Sequence, residues 1–282
     1  MLRTTRYGLH LLGPADLPDM EELSARDPVV NVFADYRARL TRLDPRWLGG
    51  EVWGYHRDGR LVAACHAAAN LVPVGAGPES VEAFAARAAS QTRRCATLVG
   101  PAEQVDPMWD LLRPRWGPGR EVRRHQPHLE IAAESSIAPD PLVRRTTAAD
   151  LDTLYPACVA MYTEEVGVSP ELGGGATLYR ARVAQLISKG WSYARIEDDR
   201  VVFKAEVAAA TPYACQVQGV WVDPARRGEG LATAGMASVV RLALRDVAPV
   251  VSLYVNEHNI AARRVYAVVG FEQTAEFTTV MF

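Results

Sequence analysis

The chain has 282 residues, 49% hydrophobic, 23% charged and 8% aromatic, with a formal net charge of −2 at pH 7. That composition belongs to globular domains, about two by length, and excludes disordered, collagen-like and disulfide-stapled classes. Charge is balanced in both halves, which argues against nucleic acid as a partner, and no apolar run reaches the roughly 18–20 residues of a membrane span.

The opening Met1-Leu2-Arg3-Thr4-Thr5-Arg6 lacks the apolar core of a secretion leader. Cys65, Cys95, Cys158 and Cys215 are scattered and form no CxxC pair. Both readings point to a cytoplasmic protein with reduced thiols.

In chain order, the first half opens with a strand and a helix whose start is acidic, Pro14-Ala15-Asp16-Leu17. Trp53 to Arg57, a turn at Asp58-Gly59 and Arg60 to Val62 predict a strand, hairpin and strand. Ala96 to Val99 predicts a strand before a helix that ends near Trp116-Gly117. The small, polar stretch Ala132 to Pro141, broken by Pro139 and Pro141, reads as a linker. It divides the chain into 1–134 and 141–282.

The second half predicts a strand at 142–146, helices at 148–163 and 176–189, and strands at 191–197, 200–210 and 214–222. A helix near 230–245, a strand at 250–256, a helix at 259–269 and a strand at 274–282 follow. The turn at Glu197-Asp198-Asp199, between Trp191-Ser192-Tyr193-Ala194-Arg195 and Arg200-Val201-Val202, repeats the first-half hairpin. The order of matching elements favours a duplication, and strands in a meander mixed with helices make each half α+β.

Chemistry concentrates in Gln218-Gly219-Val220-Trp221-Val222-Asp223-Pro224-Ala225-Arg226-Arg227-Gly228-Glu229-Gly230-Leu231-Ala232-Thr233. A strand runs into a glycine-rich loop that opens an amphipathic helix. The first N–H groups of a helix have no intrahelical partner, and the macrodipole adds positive character there. Glycine lets a ligand approach the backbone, so the turn suits a pyrophosphate. The spacing is neither GxGxxG nor GxxxxGK[ST], which disfavours dinucleotide folds and P-loops.

Arg227-x-x-Gly230-x-Ala232 resembles the R/Q-x-x-G-x-G/A signature of the GCN5-related N-acetyltransferases, the GNAT superfamily. A second family signature follows: the strand Leu253-Tyr254-Val255, then Asn259-x-x-Ala262-x-x-x-Tyr266, then Gly270-Phe271. The resemblance implies an acetyl-CoA-dependent N-acetyltransferase that moves the acetyl group to a primary amine, by direct attack in a ternary complex. It implies two GNAT-like domains, each a central mixed, mostly antiparallel sheet flanked by helices. By resemblance, Val220, Trp221 and Val222 would offer backbone groups to the pantetheine arm. Arg227, Gly228, Glu229, Gly230, Leu231, Ala232 and Thr233 would wrap the pyrophosphate. Asn259 would bond the pantetheine, Ala262 would keep that helix face small, and Tyr266 would protonate the departing thiolate.

A lysine-like amine titrates near 10.4, so freeing it at neutral pH costs roughly 4–5 kcal/mol that a base or water relay can offset. The strand before the loop carries Gln216 and Gln218 but no carboxylate. Glu206 on the preceding strand is the nearest base candidate, with a structural ion pair to Lys204 as the alternative. Tyr254 acting through water, and Glu164-Glu165 attracting a cationic acceptor, remain open. His125 and His128 have no third ligand at metal spacing, so no metal is expected.

In the first half, His66 falls opposite Glu206, Gln104 opposite Asn259 and Leu111 opposite Tyr266. Gly75-Ala76-Gly77 brings no arginine and no room for a pyrophosphate. The whole resembles tandem-GNAT proteins, especially actinobacterial ones whose N-terminal domain has no known function. The acceptor (a small-molecule or peptide amine) and the oligomeric state stay open. A non-catalytic acyl-CoA sensor and an aminoacyl or peptidyl transferase on a doubled GNAT-like fold are the competing readings.

Overall fold

The structure, a computed structural model, describes residues 8–282; the opening stretch Met1 to Arg6, read above as lacking a leader's apolar core, lies outside them. The chain begins with β1 (Gly8–Leu11), α1 (Leu17–Ser24), α2 (Val32–Thr41), α3 (Pro45–Leu48), β2 (Glu51–Arg57) and β3 (Arg60–Ala67). It continues through β4 (Asn70–Val74), α4 (Pro78–Ala89), β5 (Thr97–Pro101), α5 (Ala102–Trp116) and β6 (Glu121–Ile131). Next come β7 (Arg144–Arg145), α6 (Leu151–Val166), α7 (Ala176–Ser188), β8 (Ser192–Glu197), β9 (Arg200–Ala210) and β10 (Cys215–Val222). The last elements are α8 (Leu231–Asp246), β11 (Val251–Tyr254), α9 (Ile260–Val269) and β12 (Glu272–Met281).

These elements make two compact units. The first takes residues up to Leu129 with Tyr254–Asn259 and Gln273–Phe282; the second takes Glu130–Leu253 and Ile260–Glu272. Each unit is a mixed sheet flanked by helices, the architecture expected from the sequence.

In the first unit the strands lie in the order β1-β2-β3-β4-β5-β12-β6. One buried cluster packs Trp53, Phe84, Leu98, Met108 and Leu112; a second packs Met20, Leu23, Leu43, Leu61 and Val74. Helices therefore cover both faces of the sheet, as burial of its two apolar sets requires. The last strand, β12, pairs antiparallel with β5 from Phe277↔Pro101 to Met281↔Thr97. A linear division at the linker does not foresee this, because strand pairing is non-local and leaves no mark in the spacing of residues.

In the second unit the order is β11-β10-β9-β8-β7. Leu154 and Cys158 of α6, Val183 and Ile187 of α7 and Val201 form a core on one face. On the other, α8 packs on β9 and β10 and against α9. A Cβ at Gly235 of α8 would stand 2.8 Å from the Phe203 ring, so only glycine admits that close approach.

The two hairpins match closely. Asp58 and Gly59, and Asp198 and Asp199, all have positive φ, the two-residue turn whose twist suits paired strands. Glu197, expected in the turn, instead ends β8 opposite Arg200. The strand expected over 142–146 shrinks to Arg144–Arg145. Its approach is pinned elsewhere: the Asp140 N–H donates to the Ala234 carbonyl, and Ser238 Oγ donates to the Asp140 carbonyl.

Candidate active site

The second unit brings four of its elements to one place. β10 and β11 are parallel and pair at Cys215↔Val251 and Gln216↔Ser252, near the start of β10. On its other side, β10 pairs Gln218↔Glu206 and then Trp221↔Lys204. Gly219 and Val220 thus oppose Ala205 alone, a β-bulge, and Gly219 adopts φ +60°. An isolated glycine inside a strand pattern is the sequence signal for such a bulge.

The end of β10 turns sharply at Asp223. Its buried carboxylate accepts the Ala225 N–H at 3.0 Å and pairs with Arg200 at 2.6 Å, and its own N–H reaches the Val202 carbonyl. The loop then opens α8. Gly228 (φ +88°) and Gly230 (φ +79°) lie in the left-handed region, where a side chain is strained whatever space surrounds it. A Cβ at either would meet nothing within 4 Å, so the loop is open on that side. Among the described residues, no backbone N–H from Arg227 to Ala232 donates to a protein oxygen, and Gly230 provides no side-chain cap. Thr233 differs, because its N–H is taken by the Gly230 carbonyl at 3.1 Å. Unpaired donors at the head of a helix dipole, in a loop open on its glycine side, suit an anion, and these residues fit a pyrophosphate.

The charged side chains of the loop are already engaged. Arg227 pairs with Glu164 at the end of α6, at 2.8 Å. Arg226 pairs with Glu229 and Glu197, both at 2.8 Å. Those hydrogen bonds, from Glu197 first, hold the Arg226 guanidinium above its ordinary value, and Arg226 in turn lowers Glu197.

Glu206 and Lys204 lie on the face of β9 toward α6. Lys204 is completely buried and donates to Glu206 Oε2 at 3.1 Å and to the Gly219 carbonyl at 2.9 Å. Glu206 Oε1 accepts from Gln218 Nε2 at 2.9 Å. Burial works to lower the ammonium, but the charges of Glu206 and Cys158 and the Glu206 hydrogen bond outweigh it, leaving Lys204 raised. Of the two sequence readings of Glu206, the ion pair is the geometry observed.

Tyr266 is buried on α9, one turn beyond Ala262, its ring edge-on to Phe271 at 5.8 Å. Burial, and then the charge of Glu165, pushes the phenol well above its usual range, so Tyr266 stays protonated at neutral pH. Asn259 directly precedes α9, at the spacing that sets Asn259, Ala262 and Tyr266 on one helical face. Tyr254 stacks instead on Phe277 at 5.2 Å, within the first unit. Sequence reasoning missed the Arg227–Glu164 pair, whose partners are far apart in the chain.

The first unit shows what the corresponding place looks like without these features. Three residues, Gly75 to Gly77, connect β4 to α4. The Ala76 N–H there donates to Gln104 Oε1 at 2.9 Å, and Pro78 at the helix start has no N–H to offer. His66 is buried, and burial pulls it down to about 4.

Residues 189–271 match the family model described as Acetyltransferase (GNAT) family, and residues 50–154 match a domain of unknown function, DUF4081. No curated protein is similar enough in sequence to match. Among solved structures, an acetyltransferase from the GNAT family from Colwellia psychrerythraea is similar at 12% identity, covering 98% of this chain and 100% of that one, with a TM-score of 0.58. A GCN5-related N-acetyltransferase from Sphaerobacter thermophilus is similar at 17% identity over 96% and 93%, with a TM-score of 0.60. A tandem GNAT protein from the clavulanic acid biosynthesis pathway is similar at 18% identity over 97% and 98%, with a TM-score of 0.56. The loop and the bulged strand thus lie inside the stretch that matches the GNAT acetyltransferase family model, on a chain whose fold is similar to that of solved GNAT proteins, a tandem one among them.

Proposed function

We propose that the second unit transfers an acetyl group from acetyl-CoA to a primary amine in a ternary complex. The observation that carries this reading is the open loop of unpaired N–H groups at the start of α8, beside a strand edge that parts from its neighbour. Arg227 to Thr233 receive the pyrophosphate, and the β10 backbone from Val220 to Val222 offers hydrogen bonds along the pantetheine arm, as an added strand would take them. Ala262 on α9 and Asn259 just before it line the arm. The amine nitrogen bonds to the acetyl carbon, the carbon–sulfur bond breaks, the amine proton leaves to water, and Tyr266 protonates the sulfur. Glu206, already holding Lys204 and Gln218, contributes by position. Glu164 is taken up by Arg227, and Glu165, whose charge acts on Tyr266, gives the acceptor end negative charge, which suits a small-molecule or peptide amine. The free thiols fit work in the cytoplasm, where acetyl-CoA is available.

Acetyl-CoA calorimetry on the wild type and Gly230→Trp, with CoA release followed over a panel of amines, tests the reading. Binding is expected in the wild type and a loss of at least tenfold in affinity in the variant; equal affinity overturns the loop assignment. A second reading, a non-catalytic acyl-CoA sensor, draws on the full engagement of Glu206. Binding without CoA release to any amine would favour it.

A further inference from the structure

A completely buried ammonium calls for a physical account. Replacing a buried ion pair by apolar side chains of similar volume is often neutral or stabilising, so stability alone does not explain Lys204. Its second partner does. The Nζ sits against the bulge, 2.9 Å from the Gly219 carbonyl, and a Cβ on Gly219 would come within 3.0 Å of Nζ, 3.1 Å of Met161 Cε and 3.2 Å of Glu206 Cδ. The glycine, the lysine and the bulge are fitted to one another.

A trans peptide unit sets its carbonyl and N–H in opposite directions. With the Gly219 carbonyl turned onto Lys204, the N–H of Val220 points the other way. Val220 has no register partner on β9, since pairing passes from Gln218↔Glu206 to Trp221↔Lys204. It also lies beyond the last β10–β11 pair, Gln216↔Ser252, where the parallel strands part. Its N–H is therefore directed toward the opening. A positive charge on the carbonyl end of a peptide polarises the unit and strengthens donation at its far end.

We propose that Lys204 is a positioning residue for acyl transfer, fixing and polarising the Gly219–Val220 peptide so that the Val220 N–H is a preorganised donor to the thioester carbonyl oxygen. Negative charge gathers on that oxygen as the amine attacks, and a donor fixed in advance costs no reorganisation at that moment. Glu206 keeps the ammonium aimed, and Gln218 keeps Glu206 aimed. The inference rests on the acyl-transfer reading above.

Two double variants test it. Lys204→Gln/Glu206→Gln keeps hydrogen-bonding groups and removes both charges; Lys204→Met/Glu206→Gln removes the contact to Gly219 as well. Both avoid leaving a single buried charge, so if one fails to fold the other decides. Isotope-edited infrared spectra of bound [1-13C]acetyl-CoA report the strength of the donor without turnover. The wild type is expected to lower the thioester carbonyl stretch relative to free acetyl-CoA. Each folded variant should move it back toward the free value, bind acetyl-CoA within about threefold of wild type, and lose roughly tenfold or more in kcat; removing such a donor outright costs about 10²–10³. A folded variant with wild-type stretch and kcat overturns the proposal and leaves the acyl-transfer reading standing. A wild type that does not bind acetyl-CoA overturns both, whereas a bound thioester whose stretch is unshifted in the wild type overturns only the role given to Lys204.

Discussion

At the scale of single residues, the proposed reaction asks Tyr266 to donate a proton and Lys204 and Glu206 to hold other groups in place. Tyr266 keeps its proton because burial disfavours the phenolate, and in the proposed reaction it yields that proton only as the thiolate departs. A cysteine-like thiol leaves with a pKa near 8.5, so the help is modest. Tyr266→Phe is expected to lower kcat roughly tenfold while acetyl-CoA affinity stays within twofold, read by calorimetry beside steady-state rates. A carboxylate that already accepts from Lys204 and Gln218 is a poor base. Glu206→Gln should therefore lower kcat without shifting the acid limb of its pH profile; a lost or displaced limb would make Glu206 the proton acceptor. The candidate residues Arg227, Gly230, Asn259 and Tyr266 were legible in the sequence through their spacing. Lys204 was not, because alternation places it beside Glu206 but says nothing of a carbonyl on the neighbouring strand β10.

At the scale of elements, the decisive feature is an irregularity. An unbroken β10 would continue its ladder on β9 and leave no peptide turned onto Lys204. Gly219→Ala combines a positive φ with contact distances of 3.0–3.2 Å to three side chains. A loss of about 1–3 kcal/mol is expected, read as a lower midpoint in chemical denaturation, with weaker acetyl-CoA binding. Most element boundaries in the second half were legible to within a residue or two, since strong periodicity and turn chemistry fix them locally; α6, expected over 148–163, runs three residues later, from Leu151 to Val166. β9, for instance, was expected over 200–210 and runs from Arg200 to Ala210. The short β7 was less legible, because Asp140 is bound to α8 and Arg195, contacts that no local pattern encodes.

At the scale of the whole molecule, the two units differ in what they bury. His66 and His128 both belong to the first, and burial pulls each down to about 4, with Arg37 adding to the effect at His66. An imidazole titrates near 6.5 when unfolded, so between about pH 6.5 and 4 the unfolded chain binds more protons than the folded one. Stability is full above about 6.5 and declines as pH falls toward 4, by up to roughly 3 kcal/mol for each residue at one pKa unit per 1.36 kcal/mol. The thermal midpoint should drop across that window, and His66→Gln with His128→Gln should flatten the drop; an unchanged slope would mean that other groups control it. A related expectation concerns dissection. Residues 141–282 alone would carry β12 without β5, exposing the edge and the buried side chains of Phe277 and Val280. The isolated piece should bind a hydrophobic dye and aggregate more readily than the same piece ended after Phe271, as light scattering would show.

The pairing of β12 with β5 also has a temporal side. Strand β5 is complete by residue 101, and its partner does not begin until residue 272. On a ribosome that adds about 5–20 residues each second, the first unit must wait many seconds with one strand's edge unmet. The half that is made first is thus finished last, and a chaperone that shields β5 during that interval would raise the yield of native protein.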